Sequence, residues 1–451
     1  MKFDDFMKKG AAFADSIWNS KRFIPVLLIM SCVFLALKMG MAGMFVLVAV
    51  IVLMLLFSDD LLAIVCPTYC MLLVSTQYYT DYSVLTDYMW YAIIPVASAI
   101  LFHMIYYRRP FVKGKLFYPL IAVSAALILG GVFCISREDY FRPIGLYYVL
   151  GLGAAQLFFY CLACSRLQNE RSYDRVERLA AIVYAAGLLA VFIVFMFYVD
   201  NIDKIIEKGG IIYYKARNYM ASVLLMSLPM PCVFIKKSNW HLLSMGAMMA
   251  ALLLVGSRSG LVFGPIILLA CAIYIFCVNK KSRKLYLIIA AVLAIPVIFA
   301  AIKWVPDFYA RRLVNGKFIN SDETRVKFIT QGIQDFRNHP IFGIGVASQL
   351  NLHIFKGIIP GSLVFYHNFI VQIFASMGLM GVLAYAWNGF ERIKLLWKMR
   401  KTRLIVYGFS YVAILLMSLT NPGIFCPFPE ASLMTLLFAY IENEQNNELN
   451  A

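Results

Sequence analysis

The chain has 451 residues, 62% hydrophobic and 14% charged, and a net charge of +17. Soluble proteins carry about 45–50% apolar and about 25% charged residues, so a soluble globular fold is excluded. A β-barrel is excluded too, because the apolar runs are about 20 residues long and do not alternate. The positive charge therefore reads as the positive-inside bias of membrane-protein loops rather than as a nucleic-acid surface.

Residues 1–22 (MKFDDFMKKGAAFADSIWNSKR) are polar and amphipathic and read as a cytoplasmic segment lying on the membrane surface. About fourteen apolar spans follow, near 23–38, 41–57, 60–77, 87–107, 117–136, 143–165, 178–199, 219–235, 240–256, 259–278, 285–305, 367–387, 404–419 and 426–441. The first three are crowded, so the fold class is an all-α polytopic integral membrane protein of about 12–14 transmembrane helices. The expected organisation is the segment 1–22, helices over 23–305, one larger extracytoplasmic loop at 306–366, helices over 367–441 and a cytoplasmic tail at 442–451. Nearly all of the ten cysteines fall in apolar runs, and Cys161 and Cys164 (CLAC) lie mid-span without a histidine or carboxylate beside them. They read as small packing groups, not as a metal site or a disulfide framework.

Orientation comes from the loops. YYRRPFVKGK (106–115), SRLQNERSYDRVER (165–178), IKKSNW (235–240), NKKSRK (279–284) and ERIKLLWKMRKTR (391–403) are short and basic. With all five in the cytoplasm the spans alternate without contradiction and both termini are inside. Arg217, Arg258, Arg311, Arg312, Arg325, Arg337 and His367 then fall on the outer side, where the charge bias does not account for them.

GSRSG (256–260) interrupts a strongly apolar stretch. Its glycines permit close backbone approach, Ser257 or Ser259 is a helix cap, and Arg258 beside a helix N-terminus favours an anion. A tight turn whose arginine reaches the headgroups is the plainer reading. KARNYMAS (215–222) repeats the pattern with Arg217 and the cap candidate Asn218. In the external loop, SDETRVKFITQGIQDF (321–336) reads as an amphipathic helix capped by Ser321 or Asp322. Arg325 falls in its first turn, and Val326, Ile329, Ile333 and Phe336 form its apolar stripe. RNHPIFGIGVAS (337–348) follows, with Pro340, Gly343 and Gly345 forcing turns.

YHNFIVQIFASMGLMGV (366–382) opens a span with His367 and Asn368 at the outer face. The positive end of a helix dipole disfavours imidazolium, so the ring is expected to be neutral, as a general base must be, and the same helix end attracts phosphate. Gly378 and Gly381, three residues apart, allow close packing against a neighbouring helix that would aim His367. His103 and His241 lie toward the cytoplasmic side, His339 precedes a turn, and His353 is on the outer side.

Together, GSRSG, TRVKFITQGIQDFRNHPIFGIGVAS and H-N-x9-G-L-M-G-V, in that order over roughly residues 215–385, resemble the O-antigen ligase and O-antigen polymerase superfamily of bacterial envelope glycosyltransferases. That resemblance implies a multi-pass enzyme of the bacterial cytoplasmic membrane that takes a glycan from a polyprenyl (undecaprenyl-type) diphosphate donor at the outer face. It passes the glycan to a glycan or lipid acceptor without metal, cofactor or nucleotide sugar. It also implies that Arg258 and Arg325, with Arg217, hold the diphosphate and that His367 activates or positions the acceptor. Ser257, Ser259, Asn218, Asn368, Gly378 and Gly381 would support them. Membrane lipids, a flippase and a chain-length regulator are the partners it implies.

Three readings stand. A polymerase joins lipid-linked repeat units of O-antigen, capsule or exopolysaccharide. A ligase of the same fold moves a finished glycan to a lipid, protein or wall acceptor. A transporter or flippase is the third, and it would place ionisable groups at the midplane of broken helices, whereas here the polar set gathers at one surface.

Overall fold

The computed structural model describes residues 3–78, 82–134, 143–167, 174–208, 217–284, 317–346, 365–421 and 423–450. Among them there are helices and no strand. The expected span 285–305, Arg311, Arg312 and His353 lie outside the described residues.

The first half holds α1 (Phe3–Asn19), α2 (Phe23–Ala36), α3 (Gly40–Phe57), α4 (Leu62–Tyr78), α5 (Tyr82–Tyr106), α6 (Phe117–Leu129), α7 (Pro143–Leu152), α8 (Ala154–Arg166) and α9 (Arg175–Val199). The second half holds α10 (Ile202–Lys208), α11 (Arg217–Ser227), α12 (His241–Val255), α13 (Arg258–Val278), α14 (Lys317–Asn338), α15 (Phe369–Lys398), α16 (Ile405–Ser418) and α17 (Ser432–Asn450). A helix stands in each expected span among the described residues.

Length separates these helices into two kinds. Among the described residues, Gly40–Phe57, Gly145–Arg166, Arg175–Val199, Arg258–Val278 and Phe369–Lys398 are each long and apolar enough to cross a membrane. The pair α1 and α2, bent by 80°, reaches that length and apolarity only when taken together. Others are cut short for local reasons. α6 stops where Gly131 turns with φ +77°, well before the expected residue 136. The expected span 219–235 ends as α11, followed by Pro229 and a tight 3₁₀ turn at Met230–Phe234. The last expected span opens with a wide turn, Pro427–Ala431, before α17 begins.

α9 is the central post, burying Leu179, Ile182, Val183, Leu189 and Val194. α13 shows the lipid-facing design. Gly260, Gly264, Ile267, Cys271 and Ile275 form its buried stripe, while Val262, Leu269 and Ile273 are exposed. A helix apolar all round needs one covered stripe, and the bilayer solvates the rest.

The basic loops gather at one end. Glu177 pairs with both Lys237 (2.5 Å) and Arg403 (3.3 Å), joining segments 165–178, 235–240 and 391–403. The N-terminal helix docks at this end as well as presenting an apolar face. Trp18 is 1% exposed, donates to Asp60 Oδ2 at 2.8 Å and lies under the Arg178 guanidinium, 4.1 Å from the ring centre. Phe3, Phe6 and Phe13 stay exposed on the other side of α1. The surface segment expected over 1–22 is therefore partly a packed element of the bundle.

Candidate active site

At the opposite end, the N-termini of α11, α13 and α15 meet the C-terminal end of α16. α12 ends on Gly256, whose φ of 65° is left-handed. Ser257 then stands at the cap position of α13 but makes no capping bond; its hydroxyl donates instead to Asn218 Oδ1 at 3.1 Å. Asn218 is the second residue of α11, so it is not that helix's cap but the link between two helix starts. This bond sets Arg217 and Arg258, each the first residue of its helix, on neighbouring elements. Ser259, also expected as a cap, lies inside the first turn of α13. It hydrogen-bonds Thr420 at 2.5 Å and accepts from Asn421 Nδ2 at 3.2 Å.

The same connection reaches the histidine. Asn368 caps α15, its Oδ1 accepting from the amides of Ile370 and Val371 at 3.0 and 3.1 Å. Its Nδ2 donates to the Leu419 carbonyl at 3.2 Å, beside Thr420. His367 therefore lies outside the helix, ahead of its cap, rather than opening it. Its φ of +54° is a left-handed conformation unusual for a side-chain-bearing residue. The ring rests against Phe328, with centroids 5.5 Å apart. Burial first, and then the Arg325 guanidinium, hold the imidazole below its ordinary range. The expected neutral ring thus has causes other than the helix dipole. Its Nδ1 is buried with no hydrogen-bond partner among the described residues.

Arg325 sits differently from expectation. α14 starts at Lys317, so Ser321 and Asp322 lie within it and do not cap it, and Arg325 is in the third turn. The face against the bundle is Phe328, Gly332, Asp335 and Phe336, whose ring meets Phe374 of α15 edge-on at 5.0 Å, so only part of the stripe read from the sequence is turned inward. Val326 is 62% exposed and Ile333 44%. A Cβ on Gly332 would fall 2.4 Å from Val371, which shows how closely α14 lies on α15. Arg337 is in the last turn and exposed.

Gly378 and Gly381 also act otherwise than as a helix–helix seam. α15 breaks at Gly378 (φ 59°, ψ −152°), and the turn that follows α14 fills the break. Ile344 N and Gly345 N donate to the carbonyls of Ala375 and Ser376 at 2.8 and 2.9 Å. Leu379 N and Met380 N donate to those of Pro340 and Ile341 at 2.8 and 3.2 Å. Broken backbone inside a bilayer is tolerated where protein supplies the missing partners. A Cβ on Gly378 would sit 2.5 Å from Ile341 O, and one on Gly381 would meet Met377 of its own helix at 2.4 Å.

His103 and His241 are held elsewhere, by the Leu55 carbonyl and Tyr184, and His339 lies 3.5 Å from Cys134. Thr420 and Asn421 were missed in the sequence. Their signal was the TNPG run after α16, a polar break at the same end as GSRSG. Tyr366 and Asp335, which flank the histidine, had no signal beyond adjacency.

The arrangement sets His367 against Phe328 on the Arg325 helix, within electrostatic reach of Arg325, and links the Arg258 and Arg217 helix starts through Ser257 and Asn218. Ser259, Thr420, Leu419 and Asn368 connect the halves. Guanidinium forks and helix N-termini suit a phosphate, and a neutral buried imidazole suits a proton to be taken. No curated protein and no solved structure matches the chain. Residues 243–386 match the model of the O-antigen ligase family, a segment that contains Arg258, Arg325 and His367 but not Arg217. Over that segment the chain is similar to the O-antigen ligase family.

Proposed function

We propose that this O-antigen ligase-type membrane enzyme is a metal-independent glycosyltransferase. It would polymerise glycan repeat units carried on a polyprenyl diphosphate at the outer face of the bacterial cytoplasmic membrane. The acceptor hydroxyl oxygen bonds to the anomeric carbon of the donor glycan. The bond from that carbon to the diphosphate oxygen breaks, and its electron pair leaves with the polyprenyl diphosphate. His367 takes the hydroxyl proton. Arg258 and Arg325, with Arg217 beside them, hold the diphosphate and meet the charge that develops on it, as fixed donors do in a low-dielectric site.

The observation that carries this reading is the contact of a buried, neutral His367 with the Arg325 helix, hydrogen-bonded through Asn368 toward the Arg258 turn. A ligase performs the same bond exchange with a finished glycan and a lipid, protein or wall acceptor. The test is transfer from a labelled polyprenyl-diphosphate oligosaccharide by purified parent, His367→Ala and Arg258→Ala proteins. Folded variants that turn over at the parent rate reject the site. A ladder of products identifies the polymerase, and a single addition identifies the ligase. Thiol labelling of a cysteine placed at Asn320 tests the side of the membrane: protection from an impermeant reagent in intact cells inverts the topology.

A further inference from the structure

From the His367 end α15 runs to its break at Gly378 and then on to Lys398, the part after the break alone rising about 30 Å, the thickness of a hydrocarbon core. Its last turns therefore stand in the opposite interface. There one stripe of the helix, Trp387, Glu391, Lys394 and Lys398, faces Lys115 and Tyr118 at the start of α6 across a cleft of about 270 Å³. Trp387 and Tyr118 are exposed at its mouth.

The cleft is short of negative charge. Three ammonium groups share it with one carboxylate, Glu391, which lies 3.6 Å from Lys394. Glu442 is nearby, but its oxygens accept from the Lys115 backbone amide (2.8 Å) and the Tyr160 hydroxyl (2.5 Å). Partial burial lowers the Lys115 pKa, and Lys398 and Lys394 add to that against the pull of Glu442 and Glu391.

We propose that this cleft between α6 and α15 binds the headgroup of an anionic phospholipid, with Lys115, Lys394 and Lys398 on its phosphate and the Trp387 and Tyr118 rings against its glycerol region. Ammonium groups clustered between membrane helices suit lipid phosphate, and exposed Trp and Tyr mark the depth at which headgroups lie. A free anion would have no use for the two rings. The headgroup would bridge two helices that also meet at depth, where Gly131 N donates to the Phe342 carbonyl of the turn that fills the α15 break.

The full-length protein is reconstituted in nanodiscs of phosphatidylcholine containing either brominated phosphatidylglycerol or brominated phosphatidylcholine at equal fraction, and tryptophan quenching is read. The expected result is stronger quenching by the brominated phosphatidylglycerol. That excess is lost in Trp387→Phe and in Lys394→Gln/Lys398→Gln, and kept in the control Lys401→Gln. Equal quenching by the two lipids, an excess that survives the double lysine variant, or an excess lost equally in Lys401→Gln overturns the site. Inorganic phosphate added to detergent-solubilised protein serves as the second arm. If it raises the thermal midpoint of the parent as much as phosphatidylglycerol does, the lipid assignment fails.

Discussion

The Tyr366 hydroxyl donates to Asp335 Oδ2 at 2.6 Å, and both side chains are buried. The residue before His367 is thereby fixed to the helix that carries Arg325. The Tyr366 amide also donates to Gln372 Oε1 at 3.0 Å, and Gln372 passes on to Ser376 at 2.8 Å. The left-handed backbone at His367 is thus held from α14 on one side and from α15 on the other.

Removing that bond should loosen both. Tyr366→Phe is expected to destabilise the protein by about 1–3 kcal/mol, the usual effect of taking a partner from a buried polar group. Transfer should fall with it. Thermal unfolding in detergent measures the first effect, and a double-mutant cycle with Asp335→Asn measures the coupling. Strict additivity would mean that the two residues act independently.

The pH profile carries a sign. Because the His367 pKa is lowered, by burial and then by Arg325, the ring stays neutral as pH falls through the ordinary imidazole range and protonates below it. The acid limb of kcat/KM should therefore lie below the ordinary value of about 6.5. Arg325→Gln removes a positive charge and makes protonation easier, so the limb should move to higher pH. Burial remains in the variant and keeps it from rising all the way. A limb that stays put or moves down would separate Arg325 from the ring.

Two glycines on one helix should behave oppositely. Gly378→Ala forces a side chain into a backbone region reserved for glycine, at about 1–3 kcal/mol, and onto the Ile341 carbonyl. Poor recovery of folded protein is the expected result, read by size-exclusion profile and thermal midpoint. Gly389 is helical, with nothing within 4 Å of a Cβ. Gly389→Ala should be neutral or stabilising by about 0.5–1 kcal/mol. Equal behaviour of the two would contradict the break.

Asn368 holds two separable bonds. Asn368→Ala should cost about 0.5–2 kcal/mol through loss of the cap. Asn368→Asp keeps the acceptor for the Ile370 and Val371 amides and loses the donor to Leu419. It should therefore retain most of the stability but lose transfer if the tie to the Arg258 side matters. Comparing midpoints with turnover for the two variants distinguishes these bonds.

The sequence by itself determined the membrane class and where apolar helices stand among the described residues, and it offered the candidate residues of the site. Each is a local property. Runs of apolar side chains partition into lipid wherever they occur, and an arginine between glycines in such a run is conspicuous before any fold is known. The tertiary structure decided how those residues are held. α14 shows why: apolar side chains lie on more than one side of it, so its periodicity predicts a helix but not which face is covered, and of its apolar stripe Phe336 packs on Phe374 while Val326 and Ile333 are exposed. Ser257 and Asn218 were read as caps because capping is local, whereas their bond spans two helices. Gly378 read as a small residue for helix packing. Its break is possible because the amides of residues 344 and 345 and the carbonyls of residues 340 and 341, supplied by a turn more than thirty residues earlier, satisfy the backbone groups that the break exposes. Hydrogen-bond partners so far apart in the chain are chosen by the fold, not by the residues that need them.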